Sequence, residues 1–245
     1  MQGLIDSGKY KVIEVLESDD SYEACLCIDV MVDSGYRSCL INTYKSREAI
    51  KTLLPLFYND RFQECSSFRK LITSDGCVSV VFDHNEGESF QEYFVKNPSL
   101  TFQQRQELAQ SLLLESLQLD LLDDRLAQRV TSRRNVVVDK GLMRVGINYM
   151  MPVEVQFREH FRSVWLGELL CTIFPQGKKL PLEIDEYIIR LLNGEFDSCV
   201  DIYSEWREVS RMATETLGSY EKEGFFKCLF RYMKEKKRRN REIMR

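Results

Sequence analysis

The sequence predicts an α+β protein of two lobes: a small antiparallel β-rich lobe with one main helix, then a larger, mostly helical lobe. Two observations predict this. As far as His84 the apolar residues alternate in short runs between turn-forming clusters, whereas from Thr101 onward they recur at a helical spacing. A third refines it: the stretch "RRNVVVDKGLMRVGINYM", residues 133–150, reads as one hairpin embedded in the helical half.

In order, "YKVIEVL" (Tyr10 to Leu16), "ACLCIDVMV" and "SCLINTYK" are strand-like and are separated by the polar turns "ESDDSYE" and "DSGYR", a three-stranded meander. Residues Ser46 to Tyr58 read as a helix with Ser46 as N-cap and Pro55 as an interruption. Phe68 to His84 is a second hairpin, turning at Ser74-Asp75-Gly76. Thr101 and Gln104 have capping-box spacing, and Leu108, Leu112 and Leu119 fall near one stripe of the helix that follows. In the embedded hairpin Val136 to Val138 meet the turn Asp139-Lys140-Gly141, and a second run follows from Leu142 to Tyr149. Helical patterns then cover Phe157 to Phe174, Leu182 to Leu192, Cys199 to Ala213, and Leu217 into the tail. The division this implies is 1–88, 89–233 and a basic tail at 234–245.

The chain has 245 residues, 44% of them hydrophobic and 29% charged, enough for an ordinary buried core. Met1 to Lys11 lacks the apolar stretch that secretion needs, and "LLCTIFPQG" (Leu169 to Gly177) is too short to span a bilayer, so a cytoplasmic location is expected. The eight cysteines include no Cys-x-x-Cys pair, and with two histidines, His84 and His160, they argue against a zinc cluster. Cys25 and Cys27 share a strand face, as buried apolar residues would. Residues 231–245 hold eight Lys/Arg against two Glu, a charge of +6, so with −4 overall the rest of the chain carries −10. An acidic body is not that of a nucleic-acid-binding domain. The basic tract, with Lys234, Lys236, Lys237, Arg238, Arg239 and Arg241, reads either as a solvated helix end or as a juxtamembrane contact with anionic lipid.

The order of elements resembles the protein kinase-like superfamily. "HNEGESFQEYF" (His84 to Phe94) is similar to the kinase hinge and following helix, EYxxGGSLxxYL, which places the hinge at Asp83, His84, Asn85, Glu86 and Gly87. "QRVTSRRNVVV" (Gln128 to Val138) is similar to HRDLKPENILL, and "SVWLGELLCTIF" (Ser163 to Phe174) to DVWSLGxLLYELL.

The resemblance implies a phosphate-binding turn rich in glycine, but "ESDDSYE" has none and carries acidic side chains that would repel a triphosphate. "CLINTYK" against VAIKxxK gives Asn42 the place of the phosphate-gripping lysine; Lys45 falls on the other strand face. Val130 takes the place of the catalytic aspartate, and valine accepts no proton. Gln128 and Arg129 match the residues before it, and Asn135 matches the metal-binding asparagine. The metal-binding aspartate of the DFG triplet falls at Ile147 or Asn148, neither of which offers Mg²⁺ a carboxylate. From Tyr149 to Phe157 only "YMMPVEVQF" stands where kinases spend about twenty residues on a substrate platform.

What the resemblance implies is a pseudokinase of bacterial type, with no cofactor and no metal, acting on a protein partner as an interaction or scaffold module. The alternative is an atypical kinase-like enzyme with unusual nucleotide chemistry, for which Asp19, Asp20, Glu86, Glu88 and Asp139 are candidate ligands of a relocated metal. In the pseudokinase reading Asn135 has a structural use, bonding the loop backbone.

Overall fold

The computed structural model describes residues 4–6, 8–31, 37–175 and 180–223, and they form an α+β chain with an antiparallel main sheet. β1 (Leu4–Ile5) is a two-residue edge strand that the apolar pattern did not announce. β2 (Tyr10–Ser18), β3 (Tyr22–Asp29) and β4 (Arg37–Tyr44) are the expected meander, and β3 and β4 pair without interruption from Tyr22↔Tyr44 to Asp29↔Arg37. β5 (Phe68–Ser74) and β6 (Cys77–Asp83) form the second hairpin, turning through Asp75 and Gly76 at φ 50° and 76°, the left-handed pair that a tight hairpin turn requires. The sheet order is β1-β2-β3-β4-β6-β5.

Lys70 on β5 pairs with Asp6 beside β1, so a salt bridge joins the two opposite edges of the sheet. The sheet therefore coils around a small core of its own: Tyr10, Cys25, Cys27, Cys39, Ile41 and Val81, all buried. The opposite face packs on α1 (Arg47–Phe57) and the short α2 (Asp60–Gln63). Ser46 caps α1 by accepting from the Ala49 N–H at 3.3 Å. The expected interruption at Pro55 is corrected: the helix runs on to Phe57. In the last turn the missing N–H forfeits one bond, and burial of Leu53, Leu56 and Phe57 outweighs it.

Beyond the main sheet, β7 (Glu88–Ser89) pairs with β8 (Val136–Asp139), and β8 with β9 (Arg144–Ile147). The embedded hairpin is thus one part of a three-stranded sheet. The expected second run to Tyr149 is shorter as a strand, ending at Ile147. Around it stand α3 (Phe90–Lys96), α4 (Phe102–Ser116), α5 (Asp124–Val130), α6 (Phe161–Ile173), α7 (Leu182–Leu192) and α8 (Cys199–Glu223). The Thr101–Gln104 capping box closes in both directions, at 3.2 and 2.9 Å. Leu108 and Leu112 are buried on α4, and Leu119 on the 3-10 turn that follows.

Two helical expectations are corrected. The helix expected from Phe157 begins at Phe161, because His160 adopts a left-handed conformation (φ 48°) that stops it. The break expected between Ala213 and Leu217 is absent, and α8 is continuous to Glu223. Among the described residues no helix is long and apolar enough to cross a membrane.

Candidate functional site

Four residues singled out from the sequence, Asn42, Gln128, Arg129 and Asn135, converge on one stretch of backbone, the segment from Asn148 to Arg158 that leaves β9. Asn42 sits on β4 facing this segment, fully buried. Its Nδ2 donates to the Tyr149 carbonyl at 2.8 Å, and its Oδ1 accepts from the Met151 N–H at 2.9 Å and from the Tyr22 hydroxyl at 2.6 Å. The Tyr22 oxygen also accepts from the Met151 N–H at 3.1 Å, and the Tyr44 hydroxyl donates to the Met151 carbonyl at 2.9 Å. Strand pairing explains why these three cooperate. Tyr22 and Tyr44 are directly opposite, Asn42 is opposite Ala24, and all four therefore share the inner face. Burial raises the pKa of both tyrosines, so they remain neutral donors.

The Tyr149 side chain completes the closure. It is 1% exposed and stacks on Phe82 of β6, with ring centroids 5.0 Å apart and planes at 10°. One connected set of buried side chains runs from Tyr22 and Phe82 through Tyr149 and Met151 to Trp206 on α8. Apolar packing thus fills the place between the main sheet and the helical half.

Asn135 bonds this segment from the other side. Its Nδ2 donates to the carbonyls of Val130 (2.8 Å) and Met150 (3.0 Å), while its Oδ1 accepts from the Met150 N–H at 3.1 Å. Its own carbonyl accepts from the Asn148 N–H at 2.7 Å. Farther along, Arg129 donates to the carbonyls of Pro152, at 2.7 Å, and Val153. Burial lowers the pKa of Arg129, opposed by the nearby Tyr44. Gln128 makes a reciprocal pair with the Arg158 backbone at 3.0 and 3.1 Å. Val130 and Ile147 are core residues, buried among apolar neighbours.

Asn148 fastens the connection between the sheet and the helical half. Its Oδ1 accepts from the Asn85 N–H at 2.8 Å and its Nδ2 donates to the Asn85 carbonyl at 3.2 Å. The Asn85 side chain in turn donates to the Ile147 carbonyl at 2.9 Å. Two glycines permit the approach. A Cβ on Gly146 would lie 2.7 Å from the Asn85 Cβ, and one on Gly87 would lie 2.7 Å from the Val138 carbonyl oxygen. Asp83 pairs with Arg37 at 2.7 Å and with Arg69, and Glu86 accepts from the Ser38 hydroxyl at 3.2 Å. His84 is half-buried with Nδ1 unpartnered, and burial lowers its pKa against the opposing pull of Glu86.

The acidic candidates for a relocated metal are dispersed and engaged. Asp19 accepts from the N–H groups of Ser21 and Tyr22 at 2.6 and 2.8 Å, and these bonds with the Ser21 hydroxyl lower its pKa. Glu88 is clamped by Lys140, at 2.7 Å, and Lys96, and Asp139 accepts from the Gly141 N–H at 2.8 Å. Asp20 is exposed in the β2–β3 turn. Among the described residues no three His, Cys, Asp or Glu side chains gather in a way that could hold a metal ion. Lys45 bonds Glu23 at 2.8 Å, away from Asn42.

The tract with Lys234, Lys236, Lys237, Arg238, Arg239 and Arg241 lies outside the described residues. Sequence reasoning missed Tyr22, Tyr44, Tyr149 and Met151. The signal that could have found three of them was the row of tyrosines sharing strand parity with Asn42 or following β9 directly. A cavity of about 520 Å³ lies at the end of this segment, beside Gln128, Arg158 and His160, and one of about 420 Å³ lies elsewhere, between α3, α4 and α6. Comparison of the chain with protein-family models finds no match, and a search of curated proteins finds no significantly similar relative.

Proposed function

We propose that the chain is a two-lobed, kinase-like pseudokinase that acts through its surfaces on a protein partner and transfers no phosphate. One observation carries this reading. Asn42, at the position the resemblance assigns to the phosphate-gripping lysine, spends every polar atom of its side chain on Tyr22, Tyr149 and Met151. A nucleotide entering between the halves would have to break that network and displace the Tyr149 ring from Phe82. It would also meet an Asn85 backbone whose N–H and carbonyl are both taken by Asn148. The remaining positions that the resemblance makes catalytic support the same reading, since Val130 and Ile147 are core and Asn135 is saturated by backbone.

Calorimetric titration with ATP and Mg²⁺ tests it. The expected result is no binding heat and no phosphoprotein by mass spectrometry, with Asn42→Lys equally inactive because the missing groups act together. Tight Mg²⁺-dependent ATP binding, or an autophosphorylated product, would overturn it in favour of an atypical kinase-like enzyme.

A further inference from the structure

The cavity of about 420 Å³ opens on the helical half, between α3, the start of α4 and the end of α6. Its floor is apolar: Phe90 and Phe94 of α3 are buried there. Its lip is exposed, with Val95 at 73% and Pro98 beside it. Among the described residues, two arginines line it and no acidic side chain does.

Arg105, on α4, is 6% exposed. Its Nε donates to the Leu100 carbonyl at 3.2 Å, its Nη2 to Pro98 at 3.1 Å, and its Nη1 to Ile173 at the end of α6. Carbonyls at a helix end are suitable neighbours for a cation, yet they carry no full charge. Burial lowers the pKa of this guanidinium, with no acidic group opposing the shift. A guanidinium has five N–H groups, and these bonds occupy three. Arg133 stands on the neighbouring wall, exposed, and shares its charge with Glu168 at 3.4 Å. A buried cation without a counter-ion is rare, because the desolvation of a charge is seldom left uncompensated. Here it lines an apolar groove on a protein whose body is strongly acidic.

We propose that this groove receives the C-terminal end of a partner polypeptide, with an apolar last side chain on Phe90 and Phe94 and the free carboxylate against Arg105 and Arg133. A carboxylate can accept from the two Arg105 N–H groups that the three carbonyls leave over, and the desolvated surroundings strengthen the pair. The exposed rim at Val95 gives the rest of a chain a way out, which an enclosed small-molecule site would not need. The groove is formed by α3, α4 and α6 and uses none of the Asn42 network, so it stands or falls separately from the pseudokinase reading.

The test is capture by the immobilised full chain of two pools of short peptides, randomised except for a terminal Leu or Phe. One pool carries a free C-terminus and the other is amidated. The free-acid pool should be retained and the amidated pool held at least about tenfold more weakly. Because Arg105 staples three carbonyls, its removal can unfold the region. Val95→Glu is the informative variant: it lies on the exposed lip, keeps the fold, and sets a carboxylate at the groove, so retention should fall by about tenfold or more. Unchanged thermal stability of that variant with lost capture supports the site. Equal capture of acid and amide, no capture at all, capture indifferent to Val95→Glu, or equally tight competition by 4-phenylbutyrate would each overturn it, the last by making it a small-acid site.

Discussion

Replacing Asn42 by alanine should cost the folded state about 2–4 kcal/mol. The substitution removes three bonds at a fully buried position. The Met151 N–H keeps an acceptor in the Tyr22 oxygen at 3.1 Å, so it is not orphaned. The Tyr149 carbonyl and the Tyr22 O–H lose the Asn42 partner, and a buried polar group left unsatisfied costs about 1–3 kcal/mol. Two such groups, relieved in part by any water that enters, set the magnitude. For a chain of 245 residues, with about 2–4 °C per kcal/mol, the midpoint of thermal unfolding should fall by roughly 4–16 °C. Urea denaturation of both proteins at neutral pH measures it, with a lower midpoint and an unchanged slope as the expected pattern. Asn42→Asp sharpens the test. It keeps the acceptor but sets a carboxylate oxygen against the Tyr149 carbonyl. Burial there raises the folded-state pKa of that carboxyl, so the variant should lose stability as pH rises and recover it in acid. A loss below about 0.5 kcal/mol for Asn42→Ala would refute the reasoning, because it would mean that solvent already reaches these groups.

Two further outcomes are expected. Burial lowers the pKa of His84 from 6.5 in the folded state, so below that pH the unfolded chain binds the proton better and stability should fall; His84→Gln should lack this part of the decline between pH 7.5 and 5.5, as read from denaturation midpoints. Gly146→Ala should destabilise by about 1–3 kcal/mol, since its Cβ would stand 2.7 Å from the Asn85 Cβ, and faster hydrogen exchange at the Asn85 amide would show the Asn85–Asn148 pair loosening.

Local chemistry was legible in the sequence. Ser46 and Thr101 announce their helices because a cap is a bond between residues three apart, and Asp75-Gly76 announces its hairpin because few residues tolerate two left-handed positions in succession. The alternation that buries Cys25 and Cys27 on one face is likewise a property of the strand itself. Where the local reading of Pro55 failed, packing outweighed propensity, because the apolar face of α1 carries the proline.

By itself the sequence determined the α+β class, the switch from strand to helix after His84, and the lack of charged groups at Asn42, Val130 and Ile147. The tertiary structure decided what those positions do instead. Asn42 meets Tyr149 and Met151 across separations of 107 and 109 residues, and Asn85 meets Asn148 across 63. No periodicity encodes such a meeting, because each partner looks locally like an ordinary strand, loop or turn residue. Only when the sheet is laid on the helical half do an asparagine and two tyrosines face the same backbone segment. Leaving those buried groups unpaired would cost more than ordering the side chains that satisfy them. The same holds for Arg105, a polar residue on α4 in sequence, which among the described residues has carbonyl partners and no counter-ion because of the elements that surround it.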